Sequence, residues 1–531
     1  MLATFGQYIV LIVVIMLLVM LANKLKVAYP VMLVLGGLLL SFQTWIPSVK
    51  IDPELIFIIF LPPLLYEAAW YTSWKELWRW RRVISSFAFL IVLVTALVVA
   101  IFSSWLIPGF SLALGFLLGG IISPPDAVSA SAVLRFVKVP KRLSAIVEGE
   151  SLLNDAGSLI IFRFSLIAVE TGRFVFHEAA LSFVSVIVMG IATGLVIGYI
   201  FYIALLKLPT TPQMDIVLSI AAPYVMYIVA ESMHFSGVLA VVAGGLYLSA
   251  RSHRYLSYRS RFQGTTVWSV LGFVLNGLIF MLIGLELPEI IRQLGEVSMG
   301  EAIKYGLLIT GILIVSRIVC TLFASVFTVF ISRYITTADN RPGWRGPILL
   351  GWAGMRGVVS LAAALSIPLQ LKSGAPFPQR NLILFITFVV ILVTLVVQGL
   401  TFPALIRLVN MPDPDHHASP EEQHRQIRQQ LAAATIQFLE SHPDDLARSN
   451  SLLQQLKTKL QQEEAFMEHC DNTHELGIFG KVYLEALDHQ RHLLHQINKN
   501  PTIDEDIIRE QHILLDLEEE KVRSRYVIEP E

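Results

Sequence analysis

Glu150, Asn154 and Asp155 stand in "ESLLNDAGSLIIFRF" (residues 150–164), at the head of a run otherwise made of Leu, Ile, Phe and Ala. Asp126, 29 positions before Asp155, follows two prolines in "LLGGIISPPDAVSASAV". Carboxylate, amide and hydroxyl oxygens are hard ligands of the kind that alkali cations prefer, and no Cys/His cluster for a soft metal lies in these runs. At about 100° per residue, Glu150 and Asn154 share one helix stripe, and Ser151 and Asp155 share the next. One stripe can take a structural partner while the other faces a cavity beside Asp126. Asp155, Asn154, Asp126 and Ser151 are therefore the candidate cation ligands, with Asp155 and Asp126 as the charged pair. Arg317, in "IVSRIVC", is the candidate partner of Glu150.

The surroundings of these residues are those of a membrane protein. Of 531 residues, 55% are hydrophobic and 15% charged, against about 25% charged in soluble domains, and the mean hydropathy is +0.64. Apolar stretches of membrane-crossing length fall near residues 6–23, 29–46, 54–72, 83–107, 110–134, 148–170, 178–206, 216–232, 235–250, 266–288, 302–332, 346–370 and 381–408, about thirteen in all. The first has no basic n-region and no small-residue cleavage site, so it reads as a retained span. With the N-terminus outside, the inward loops hold eighteen Lys and Arg and the outward loops six. That bias sets the orientation in the plasma (inner) membrane and, for an odd count, leaves the C-terminus in the cytosol. Glu67, Asp126, Glu150, Asp155, Glu231, Glu286, Arg163, Arg317 and Arg356 all fall inside spans. Each costs about 2.5–3.5 kcal/mol at mid-bilayer on insertion scales, so the set implies internal pairs and a hydrated pathway.

Two spans carry helix breakers. Pro124 and Pro125 lack the N–H groups that a helix interior needs, and Gly351, Gly354 and Gly357 surround Arg356 in "GWAGMRGVVSLAAALSIP". A helix broken at membrane depth is tolerated where its freed groups line a cavity or are buried in protein. If spans 1–6 and 8–13 form two inverted six-helix repeats, the breaks occupy equivalent fifth and twelfth positions, the sequence signature of a transporter's binding site. Asp126 at one break and Arg356 at the other would neutralise opposing half-helix ends.

Charge divides the chain into two domains. Residues 1–408 hold 28 Lys and Arg against 17 Asp and Glu, and residues 409–531 hold 12 against 24. The second part has apolar residues at three- and four-residue spacing in "SLLQQLKTKLQQEEAFMEHC" and "IFGKVYLEALDHQRHLLHQI", so it is expected to be a helical cytosolic tail. Ten of the 13 histidines lie there. They read either as ordinary solvated His or as a pH-sensing regulatory element. Cys320 and Cys470 cannot make a disulfide framework. No P-loop, Gly-rich nucleotide turn or Ser–His–Asp pattern is present, so ATP-driven transport and enzyme chemistry are not expected, nor is a cofactor or a nucleic-acid partner.

"SPPDAVSA" followed by the Asp of "ESLLNDAGSL" resembles the monovalent cation:proton antiporters, in their bacterial sodium/proton exchanger branch. "AESMHFSGVLAVVAGG" (230–245), "FVLNGLIFMLIGLEL" (273–287), the Arg317 segment and "GWAGMRGVVSLA" (351–362) are similar to that family in the same order, over roughly residues 6–408. The resemblance implies that Asp155 binds cation and proton, with Asp126 and Ser151 assisting or shaping the crossing of the broken helices. It implies a buried Glu150–Arg317 pair, and, from Asn154 at the place of a second Asp in electrogenic relatives, one-for-one exchange. It also implies a homodimer whose core moves against a dimerisation domain. Two features depart from the pattern. Arg163 stands two turns from Asp155, where an inward orientation would depress that carboxylate's pKa, and Pro124 replaces a hydroxyl residue. A carboxylate in a partly dehydrated cavity holds its proton more tightly, and a cation displaces it, so competition at Asp155 would give antiport of Na+, Li+ or K+ against H+. A cation channel, an ion-sensing receptor signalling through the tail, or a sodium-coupled solute symporter are the alternatives. Besides lipid, the expected contacts of the tail are its own membrane domain or a regulator.

Overall fold

The computed structural model describes residues 2–42, 57–137, 139–172, 176–292, 294, 297–331, 343–411, 420–441, 451–469, 473–497 and 505–526. Lys50, Lys138, Arg173, Arg333 and Arg341 of the loop count, together with Cys470 and the end of the second expected span, lie outside them. Among the described residues every named regular element is helical. Two short helices aside (Ser252–Tyr255 and Leu287–Arg292), in chain order these are α1 (Leu2–Leu25), α2 (Tyr29–Ser41), α3 (Leu61–Tyr71) and α4 (Trp74–Leu106), then α5 (Leu112–Ile122), α6 (Ala127–Leu134), α7 (Lys141–Thr171) and α8 (Phe176–Lys207). They continue with α9 (Pro212–Ser232), α10 (Gly237–Ser249), α11 (Tyr258–Leu285), α12 (Met299–Ile331), α13 (Arg345–Trp352), α14 (Val358–Leu365) and α15 (Arg380–Val409).

Length and composition make eight described segments apolar enough to cross a membrane, among them Trp74–Leu106, Lys141–Thr171 and Arg380–Val409. Four shorter apolar helices accompany them, at Ile9–Leu25, Tyr29–Ser41, Phe57–Tyr71 and Gly237–Ser249. Helix starts follow local chemistry. The hydroxyls of Ser111, Ser236 and Ser257 accept the N–H of Leu114, Leu239 and Ser260, satisfying amides that the first turn leaves open. Gly172, at φ 65°, closes α7 in the left-handed conformation that a Cβ disfavours.

The apolar interior forms two clusters. One gathers α2, α4, α5, α13 and α15 around residues such as Leu33, Leu117, Ile121 and Phe388. The other gathers α3, α9 and α10 around Tyr66, Met226 and Leu239. Helix α7 contributes to both, with Ile146 and Phe162 in the first and Leu152 and Ala156 in the second. The helix that carries Asp155 thus lies along the seam.

Helices α8 and α10 meet backbone to backbone. Gly190, Gly194 and Gly198 form a stripe at four-residue spacing, the small-xxx-small arrangement of close membrane helix pairs. A Cβ at Gly190 would lie 2.8 Å from the Ser236 carbonyl, one at Gly194 would overlap the Ala240 carbonyl, and one at Gly198 would stand 3.2 Å from Gly244 Cα.

The chain divides into two compact units, Met1–Asp415 and His416–Glu531. The second contains α16 (Pro420–Ser441), α17 (Ser451–His469), α18 (Thr473–Ile497) and α19 (Glu505–Tyr526). Helices α18 and α19 are joined by Arg491, which reaches Asp516 at 2.7 Å and also Glu519. Arg523 and Arg491 hold the Glu519 carboxyl below the usual glutamate range. A depressed carboxyl contributes above its unfolded pKa of about 4.3 and fades only as pH falls through the folded value. This pairing is therefore constant across the neutral range.

Gly194→Val is expected to lower the thermal unfolding midpoint of the detergent-solubilised protein, at a cost of about 1–3 kcal/mol, because the obstructing atom is a carbonyl that cannot rotate away. Gly311, with nothing within 4 Å of its added Cβ, is the control, and Gly311→Ala should leave the midpoint unchanged or raised.

Candidate functional site

The two interruptions face each other. Helix α5 ends at Ile122, the chain is unwound from Ser123 to Asp126, and α6 begins at Ala127. Helix α13 ends at Trp352, and α14 begins at Val358 after a non-helical stretch holding Gly354, Arg356 and Gly357. Between them Asp126 N–H donates to the Met355 carbonyl at 2.7 Å. The last carbonyls of a helix have no partner within it. Arg356, fully buried, supplies one for α5: its Nε donates to Ile122 O at 2.8 Å and its Nη2 to Ser123 O at 3.3 Å. A cation at a helix C-terminus also opposes the end charge of the macrodipole. Its remaining contacts are local: Nη1 to the Gly354 carbonyl, and its own N–H to Thr394 Oγ1 at 3.2 Å. Thr394 begins a π-helical turn, Thr394–Gln398, which no breaker residue announces.

Asp126 caps α6, accepting from Val128 N–H at 3.2 Å, Ser129 N–H at 3.1 Å and the Ser129 hydroxyl. It also lies against the start of α14, since a Cβ on Gly357 would stand 2.5 Å from Asp126 Oδ2. The carboxylate therefore sits at two helix N-termini at once, the positive ends of both second halves. Pro124 and Pro125 are buried in the unwound stretch.

Helix α7 presents its polar face to this crossing. Ser151 Oγ accepts the Ala127 N–H at 3.1 Å, and Asn154 Nδ2 donates to the Pro125 carbonyl at 3.0 Å. Asn154 is fully buried and its Oδ1 has no partner among the described residues. Its residue type groups it with the ligands, but its amide is turned to the peptide of the break and it is not on the cavity wall. Asp155, 7% exposed, is on that wall, as are Ser151 and Asp126. On the other side of α7, Arg317 Nη2 from α12 donates to both Glu150 oxygens at 2.9 Å, with both residues buried.

The cavity has a volume of about 310 Å³. It extends from Asp126 and Asp155 to Arg135 and Thr72, the residues that end α6 and α3. Its wall includes Glu67 and Glu148. Glu67 stands out in the sequence as an intramembrane charge, but only the fold places it there; Glu148, at the border of a span, gives no signal. Arg163 corrects an expectation. It does not face Asp155; it pairs with Glu231 of α9 on a separate cavity of about 170 Å³, lined also by Ala156 and Tyr227. Eight residues along a helix amount to more than two turns and about 80° of rotation, enough to put the two side chains on different faces. Phe57 lines both cavities.

Paired interrupted helices crossing at a buried carboxylate define an ion-coupled secondary transporter. The chain belongs to the sodium/hydrogen exchanger family, whose transmembrane model matches residues 10–408. It is 32% identical to an uncharacterised Na+/H+ exchanger of Mycobacterium tuberculosis, over 94% of this chain and 92% of that one. It is 36% identical to a sodium, potassium, lithium and rubidium/H+ antiporter of Bacillus subtilis, over 70% of this chain and 56% of the relative. The fold is similar to that of the sodium proton antiporter MjNhaP1 of Methanocaldococcus jannaschii, with a TM-score of 0.62 at 20% identity, over 77% of this chain and 99% of that structure.

Removing one member of a buried pair leaves the other charge uncompensated, at a cost of roughly 3–5 kcal/mol. Glu150→Met and Arg317→Met are each expected to destabilise the protein strongly, and the double substitution should recover most of the loss. Thermal unfolding of the four proteins as a double-mutant cycle checks this, and additive losses would contradict it.

Proposed function

We propose that the chain exchanges a monovalent cation for H+ across the plasma (inner) membrane, with Na+ as the main substrate and Li+ or K+ as alternatives. The observation that carries this reading is Asp155: buried, on the cavity wall, and without a cationic partner among the described residues. An ionised carboxylate in such a place is costly unless compensated. Asp155 therefore holds either a proton or a metal cation, and the two compete for the same oxygens. Asp126 has its oxygens engaged by Val128 and Ser129, which leaves Asp155 as the exchanging group, with Ser151 and Asp126 shaping the site. Asn154 is neutral and holds the Pro125 carbonyl, so one cation replaces one proton and the cycle is electroneutral. The Bacillus subtilis relative, a sodium, potassium, lithium and rubidium/H+ antiporter, is in keeping with this substrate class.

In this reading thirteen crossings form two inverted six-helix repeats around one extra helix. The N-terminus is outside and the C-terminus cytosolic, and the protein works as a homodimer. Alternating access comes from movement of the crossed half-helices, with α7, relative to α3, α9 and α10. Residues 409–531 form a cytosolic regulatory tail, and its histidines make it the candidate sensor in pH homeostasis.

The deciding experiment places the purified protein in liposomes with a luminal pH dye and adds Na+, Li+ or K+ outside. Alkalinisation of the lumen that is indifferent to an imposed potential is expected; a signal that needs a free potential would indicate a channel or an electrogenic cycle. Asp155→Asn should abolish exchange with little loss of folding, and robust antiport in that variant would overturn the assignment. Competition predicts that, where Asp155 is mostly protonated, the apparent KM for the cation rises about tenfold per unit fall in pH while the maximal rate holds. Truncation at Pro412 should shift the pH profile; an unchanged profile would remove the sensor role of the tail.

A further inference from the structure

The membrane unit has a third cavity, of about 580 Å³, on the far side of α7 from the Asp155 cavity. Leu153 of α7, Leu195 of α8 and Val242 of α10 form its apolar walls, and Trp74 stands on its rim, half-exposed. Its charged lining is Arg251 and Arg254 alone, just beyond the end of α10. Arg251 lies over the Tyr247 ring, 4.0 Å from its centroid, and Nη1 donates to the Tyr247 carbonyl at 3.4 Å. Neither guanidinium has a carboxylate partner among the described residues. Both belong to a loop that the charge bias assigns to the inner surface, and an aromatic residue at that level marks the interface between hydrocarbon and headgroups.

We propose that this cavity binds an anionic phospholipid of the inner leaflet, with an acyl chain between α7, α8 and α10 and the headgroup phosphate on Arg251 and Arg254. The volume falls within the range of small-molecule sites, roughly 300–1,000 Å³. Two unpaired guanidiniums at the mouth of an apolar crevice match a phosphate attached to a hydrocarbon chain. A zwitterionic headgroup would leave that charge uncompensated, and free phosphate would leave the walls unused. Basic pockets between helices on the cytoplasmic side select anionic headgroups by this complementarity. Leu153 immediately precedes Asn154 and Asp155, so the occupant touches the helix that carries the exchange site. Binding is read without transport, so its failure and the failure of the exchange reading are distinguishable.

Trp74 serves as the reporter. Phosphatidylglycerol with brominated acyl chains is titrated into the purified full-length protein in detergent, and the quenching lost in Trp74→Phe isolates that residue from the other tryptophans. Saturable quenching is expected, at lower concentrations than with brominated phosphatidylcholine. Arg251→Gln and Arg254→Gln should each weaken it about fivefold, and together about thirtyfold. Ala243→Phe, which fills the crevice and leaves both arginines in place, should abolish it even if an arginine variant misfolds. Equal quenching by the two lipids, or no change in the variants, would overturn the proposal. Displacement by millimolar inorganic phosphate would assign the arginines to a free anion and overturn it as well.

Discussion

Hydrocarbon gives an unwound peptide nothing to bond to, and this single constraint organises the centre of the molecule. Each break frees carbonyls and amides that hydrocarbon cannot satisfy, and several of them are taken up by the opposite break, by α7 or by Thr394 of α15. Arg356 of one interruption serves Ile122 and Ser123 of the other, and the Met355 carbonyl receives the Asp126 amide. Asn154 and Ser151 of α7 complete the set at Pro125 and Ala127. Proline, arginine and aspartate at membrane depth are unfavourable singly and compatible together.

The same bonds decide which carboxylate is free. Asp126 is committed to two helix starts and Glu150 to Arg317. Among the described residues, Asp155 is left as the buried acid with no counter-ion on the wall of its cavity. Ser151 and Asn154 bond to the unwound peptide on either side of Asp126, so the break is tied to the face of α7 at two points.

Much of this was legible in residue types. Two prolines cannot continue a helix and three glycines around an arginine weaken one, so the interruptions could be placed from residues 124–125 and 351–357. The hundred-degree period separated Glu150 from Asp155 before any neighbour was known. That period says which residues share a face, and nothing about what each face meets. Asn154 reads as a ligand because an amide offers an oxygen as readily as an N–H; the fold shows its Nδ2 on the Pro125 carbonyl and its Oδ1 without a partner among the described residues. The orientation of Arg163 stays open in the sequence because its partner, Glu231, lies 68 residues away on another helix. The glycines of α8 take their meaning from the carbonyls they face, which only the fold brings opposite them.

Phe57, on the wall of both cavities, has an electrical consequence. With water in each, the low-dielectric layer between them would include the Phe57 ring and would be thinner than the roughly 30 Å of hydrocarbon elsewhere. If the two cavities open to opposite sides, the transmembrane potential would fall mainly across the layer that holds Phe57 instead of across the whole bilayer. A full charge moved past that partition would experience nearly all of the potential, about 2.3 kcal/mol for every 100 mV, whereas a neutral loaded site would experience almost none.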